Sequence, residues 1–90
     1  MERYLIKLCG RVQGVGFRYF AQYTAAEYKI TGSVKNCEDG TVRMEVQGEE
    51  KVVNQFLLKI KKGNMFVKVE DVVVKKINIV EGEKNFKIKY

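Results

Sequence analysis

The chain has 90 residues, 46% hydrophobic and 31% charged, the balance of one small globular domain over residues 1–90 with a core of its own. Lysine and arginine number 17 against 11 acids, a net charge of +6, and histidine is absent. With no CxxC pair, no membrane-length apolar run and no signal peptide, a cytoplasmic protein without a metal site or membrane contact is expected.

The chain opens with Tyr4, Ile6, Leu8 and Val12 on one parity and Arg3, Lys7 and Arg11 on the other, the pattern of a half-buried strand. A glycine loop follows, Gly10 to Phe20 reading G-R-V-Q-G-V-G-F-R-Y-F. Phe17, Phe20, Ala21, Thr24 and Tyr28 then recur at helical spacing, a first helix that should stop before Thr31-Gly32. Val34 and Asn36 share one face of a second strand, Ser33 and Lys35 the other. Asp39-Gly40 is a turn pair, and Val42, Met44 and Val46 alternate beyond it with Thr41, Arg43 and Glu45, which makes a hairpin.

Gly48-Glu49-Glu50 opens a second helix with its stripe at Val53, Phe56, Leu57 and Ile60. Acids stand at its start, Lys59, Lys61 and Lys62 at its end, and Gly63 is the expected stop. From Val67 to Val80, β-branched residues interleave with charge as a fourth strand. Glu81 to Lys84 turns the chain, and Phe86, Ile88 and Tyr90 alternate as a short fifth strand.

This order, βαββαβ with a tail strand, makes an α+β split βαβ arrangement: an antiparallel sheet with both helices on one face. The right-handed crossover rule makes the first two strands parallel, with another strand between them. Their C-terminal ends then share one edge of the sheet, so Asn36 should lie beside the glycine loop. Two strand spacings, about 10 Å, separate the two backbones. The same separation keeps Cys9 and Cys37 as free thiols, since bridged Cα atoms rarely lie more than about 7 Å apart.

The loop Gln13 to Arg18 joins strand to helix. Gly14 and Gly16 permit positive φ and close approach of a ligand, the helix start offers unpaired N–H groups, and Arg18 brings a fork of donors suited to phosphate or carboxylate. Neither a Walker loop nor a dinucleotide fingerprint is present. Taken as spacing alone, the glycines also fit an ordinary tight turn, and Asn36 fits a turn start.

G-R-V-Q-G-V-G-F-R at 10–18, T-G-S-V-K-N at 31–36 and D-G at 39–40 resemble the acylphosphatase family, and the resemblance runs on to the terminal F-K-I-K-Y. It implies a ferredoxin-like fold and hydrolysis of small acyl phosphates to carboxylate and phosphate, with no metal and no cofactor. It also implies that Arg18 and Asn36 are catalytic and that Gln13, Gly14, Val15, Gly16, Phe17 and Arg18 bind the phosphoryl group, with inorganic phosphate as product and competitive ligand. Ser33 stands where many members carry an aromatic residue, and Asn64-Met65-Phe66 replaces a proline-containing segment.

The +6 charge also suits a nucleic-acid-binding module of the same fold. Such modules stack bases on sheet aromatics, whereas the outward parity here holds Leu5, Lys7, Cys9, Arg43 and Glu45. No specific nucleic-acid binding is expected. A further alternative is an acylphosphatase-like domain within a larger maturation complex; a free-standing monomer is the preferred reading.

Overall fold

A computed structural model describes all of residues 1–90. The elements are β1 (Glu2–Arg11), α1 (Phe17–Tyr28), β2 (Thr31–Asn36), β3 (Val42–Gly48), α2 (Glu50–Lys62), β4 (Lys68–Ile77) and β5 (Phe86–Lys89). The sheet order is β4-β1-β3-β2-β5. β1 lies antiparallel to β3 and β4, and β3 antiparallel to β2, so β1 and β2 run parallel with β3 between them as the crossover rule requires. The short β5 adds one parallel pairing, to β2, and makes the sheet mixed.

Alternation along the strands sends Ile6, Leu8, Val34, Val42, Met44 and Val46 to one face, all fully buried. Against them pack Phe17, Ala21, Thr24 and Ala25 of α1 and Val53, Phe56, Leu57 and Ile60 of α2. Phe56 fills the layer between helix and sheet and meets Phe86 of β5 at 6.4 Å between ring centroids. Its truncation to alanine is expected to cost about 3–5 kcal/mol.

Gly63 caps α2 with φ 68, its N–H donating to the carbonyls of Lys59 and Ile60. α1 stops before Thr31-Gly32 as expected. Lys29, not glycine, turns left-handed at φ 56 and closes the helix, and Gly32 lies inside β2. A Cβ at Gly32 would stand 1.8 Å from the Glu45 carbonyl oxygen, so close strand packing rather than helix termination demands that glycine.

Two departures from expectation share one cause. β4 stops at Ile77, not Val80, and Arg3 is 4% exposed although its parity faces away from the helices. The Arg3 guanidinium donates to Glu45 (3.0 Å), Gln47 (3.1 Å) and Glu83 (2.8 Å). Gln47 in turn donates to the Val80 carbonyl at 2.9 Å and accepts from the Val80 N–H at 2.8 Å. The segment after β4 is thereby folded back over the sheet and pinned by side chains instead of continuing as a strand. Desolvation works against ionisation of Glu83, but the Arg3 guanidinium outweighs it and holds the carboxyl below the usual range.

Candidate active site

The site begins where β1 ends. A register shift between Cys9 and Gly10 marks a bulge against β4, and the chain then turns off the sheet. Gly14 (φ 72) and Gly16 (φ 76) both take left-handed backbone, which turns the chain back into α1 within a few residues. Cβ atoms added at either would meet nothing within 4 Å, so this part of the loop opens to solvent rather than to packed protein. Gly16 caps α1 without a side-chain bond, which leaves the N–H groups of the first turn free of any capping side chain. The positive end of the helix macrodipole lies at the same point.

Val12, Gly14, Gly16, Phe17, Arg18, Tyr19 and Asn36 line one pocket of about 160 Å³ there. Asn36 reaches it because it ends β2 on the same parity as the buried Val34, opposite Val42 in β3. Its side-chain Oδ1 is buried and has no hydrogen-bond partner. A buried acceptor without a partner is uncommon, because losing water without replacement costs about 1–3 kcal/mol. The Arg18 guanidinium rests loosely at the rim. Its Nη1 donates to the Lys89 carbonyl at 3.5 Å, and its Cζ lies 4.6 Å from the centre of the Tyr90 ring. Both contacts are weak enough to be exchanged for an anion.

The side chains of three residues expected in the phosphate cradle point away from it, which leaves their backbone N–H groups as the donors they could offer. Val15 packs against the core cluster. The Phe17 ring is buried edge-on against Phe20, centroids 6.1 Å apart, so only its backbone faces the pocket. Gln13 turns its amide away and donates to the carbonyls of Cys37 (2.7 Å) and Thr41 (2.8 Å) in the β2–β3 turn. That turn is further braced by Asp39, which accepts from the Thr41 N–H and hydroxyl at 3.1 and 2.6 Å. Val12 and Tyr19 line the pocket without having been singled out in the sequence. Tyr19 follows Arg18 directly and its exposure on α1 was the available signal.

Cys9 and Cys37 are free. No group of three or more His, Cys, Asp or Glu side chains converges anywhere in the chain.

The family model for acylphosphatase matches residues 4–88. An acylphosphatase of Clostridium acetobutylicum is 70% identical over 90 residues, spanning 100% of this chain and 99% of that one. The crystal structure of acylphosphatase from Bacillus subtilis has a TM-score of 0.93 at 43% identity, with both chains covered completely. A phosphate- and nucleotide-bound HypF contains a similar region, with a TM-score of 0.87 at 33% identity, covering 99% of this chain and 12% of that protein.

Fold and pocket together define a ferredoxin-like α+β domain with a pocket at the C-terminal ends of two parallel strands. The matches extend this from a fold to a family. The chain belongs to the acylphosphatases, enzymes that hydrolyse acyl phosphates.

Proposed function

We propose that the chain hydrolyses small acyl phosphates in the 160 Å³ pocket, with Arg18 and the backbone N–H groups of residues 13–18 holding the phosphoryl oxygens and Asn36 orienting the attacking water. The observation that carries this reading is that Asn36 lines the same pocket as the glycine loop and Arg18. An amide oxygen there can accept a hydrogen bond from water and aim its lone pair at phosphorus, without adding charge beside a dianion.

An acyl phosphate already has a good leaving group, so the main tasks are to neutralise phosphoryl charge and to place the nucleophile. Water attacks phosphorus as the bond to the carboxylate oxygen breaks, and the carboxylate leaves with that bond's electron pair. The proton released by water passes to the phosphoryl oxygens or to solvent. No side chain in the pocket is placed as a general base, and none is required by this route. A metal has no part in it, because Arg18 and the loop supply the positive potential. Orthophosphate, the product, competes for the same donors.

The enzyme acts as a monomer in the cytoplasm in this reading: one chain lines the whole pocket, and both cysteines are free. Assay of the purified protein on acetyl phosphate with excess chelator tests it. Hydrolysis is expected to persist under chelator and to be inhibited competitively by orthophosphate. Activity that vanished with chelator and returned with a divalent cation would overturn the metal-free mechanism.

A further inference from the structure

The sheet face turned away from the helices carries an arrangement that acyl phosphate hydrolysis does not use. Lys7 lies opposite Arg43, Arg43 opposite Lys35, and Lys35 opposite Lys89. Four exposed cations therefore stand in one row across β1, β3, β2 and β5. At about 4.8 Å per strand the row is roughly 14 Å long. Like charges directly opposite one another destabilise a sheet.

The protein leaves most of that repulsion uncompensated. Lys7 alone in the row has a counter-ion, Asp39 at 3.5 Å. Lys35, Arg43 and Lys89 share a depression of about 260 Å³ with Ser33 and Glu45. Glu45, the one acid in that depression, is shared with Arg3 at 3.0 Å, so three cations there face a single carboxylate that is already paired elsewhere. An adjoining depression of about 420 Å³ adds Lys84 and Lys87.

We propose that this row is a second anion site, which binds a short chain of phosphates laid across the strands. The cations stand in line rather than converging on a point, which favours an extended anion over orthophosphate. Arg43 offers a planar fork to one phosphate, and the lysines serve as point charges for its neighbours. No aromatic side chain lies in the row or beside it, where Leu5, Cys9, Ser33, Glu45 and Lys87 stand, so a nucleobase has nothing to stack on. Lys35 and Asn36 are consecutive and face opposite sides of the sheet, so occupation of the row leaves the catalytic pocket open.

Calorimetric titration of the full chain with sodium tripolyphosphate, in buffer already containing excess orthophosphate, tests the proposal. Tripolyphosphate is expected to bind at least tenfold more tightly than orthophosphate, and to weaken steeply with added salt. Lys35→Glu/Arg43→Glu should reduce that affinity tenfold or more. Lys51→Glu/Lys61→Glu, with the same charge change on α2, should reduce it less than twofold. Lys35→Glu alone should raise the melting temperature of the free protein, because it turns two like-charged pairs into attractive ones. Equal losses in the two double variants, displacement of tripolyphosphate by orthophosphate, or tighter binding of an oligonucleotide of equal charge would each overturn the assignment. So would a lower melting temperature for Lys35→Glu.

Discussion

The side-chain amide of Gln13 donates both hydrogens to the turn that follows Asn36, one to the Cys37 carbonyl at 2.7 Å and one to the Thr41 carbonyl at 2.8 Å. It thereby ties the glycine loop at the end of β1 to the end of β2, across the intervening β3. Gln13→Ala removes the tie and is expected to destabilise the fold by about 1–3 kcal/mol. It should also reduce kcat, since misplacement of a catalytic group by about 1 Å can cost on the order of 10²-fold. Gln13→Glu should be worse than alanine, because a carboxylate cannot donate and would face two carbonyl oxygens. Kinetics and urea unfolding of both variants check this, and an alanine variant with unchanged kcat would show that the loop holds its place unaided.

The Arg18 guanidinium rests on weak contacts to the Lys89 carbonyl and the Tyr90 ring. Its planar fork suits two phosphoryl oxygens at once, a geometry that lysine cannot copy. Arg18→Lys is therefore expected to lower the rate on the order of 10²–10³-fold and to weaken competitive inhibition by orthophosphate. Near-native turnover in that variant would remove Arg18 from the catalytic set.

Local periodicity carried most of the fold. The alternation of Ile6 and Leu8, the stripe from Val53 to Ile60 and the stop at Gly63 each depend on neighbours within one element. Asn36 was legible for a related reason, because its parity with Val34 and one handedness rule fix where it lies. What escaped depends on partners far along the chain. The brace made by the Gln13 side chain is one case, because the carbonyls of Cys37 and Thr41 that its amide reaches belong to a distant turn. Arg3 reads as a solvent residue, because its acceptors Glu45, Gln47 and Glu83 come from two other parts of the chain. The β-branched run to Val80 hides the end of β4 because composition does not register the bonds between Gln47 and Val80.

The Arg3–Glu83 pair should make stability pH-dependent in the acid range. The folded Glu83 carboxyl titrates below its ordinary value of 4.5, so its stabilisation is complete above that pH and is lost as pH falls through the lower folded value. Arg3 stays charged throughout and adds no slope of its own there. Glu83→Gln is expected to cost about 1–3 kcal/mol at neutral pH, and its gap to the native protein should narrow as pH falls below 4.5. Urea midpoints measured from pH 7 to pH 3 check this. A gap between the two proteins that stayed constant across the range would mean the bond matters for packing and not for charge.

Asn36 separates binding from chemistry. Its side chain lines the pocket, yet it carries no charge with which to grip a phosphate. An interaction with the attacking water has its worth mainly in the transition state. Asn36→Ala should thus lower kcat by two orders of magnitude or so while phosphate affinity stays close to native. No protein group hydrogen-bonds the Oδ1, so alanine should leave stability close to native, unlike the loss of a turn-forming asparagine. Asn36→Asp keeps the shape but sets a negative charge against the phosphoryl group, so it should weaken phosphate binding as well as turnover. Steady-state kinetics and phosphate-induced thermal stabilisation on both variants distinguish these effects. An alanine variant that kept its kcat, or lost it only by unfolding, would make Asn36 a structural residue at the end of β2.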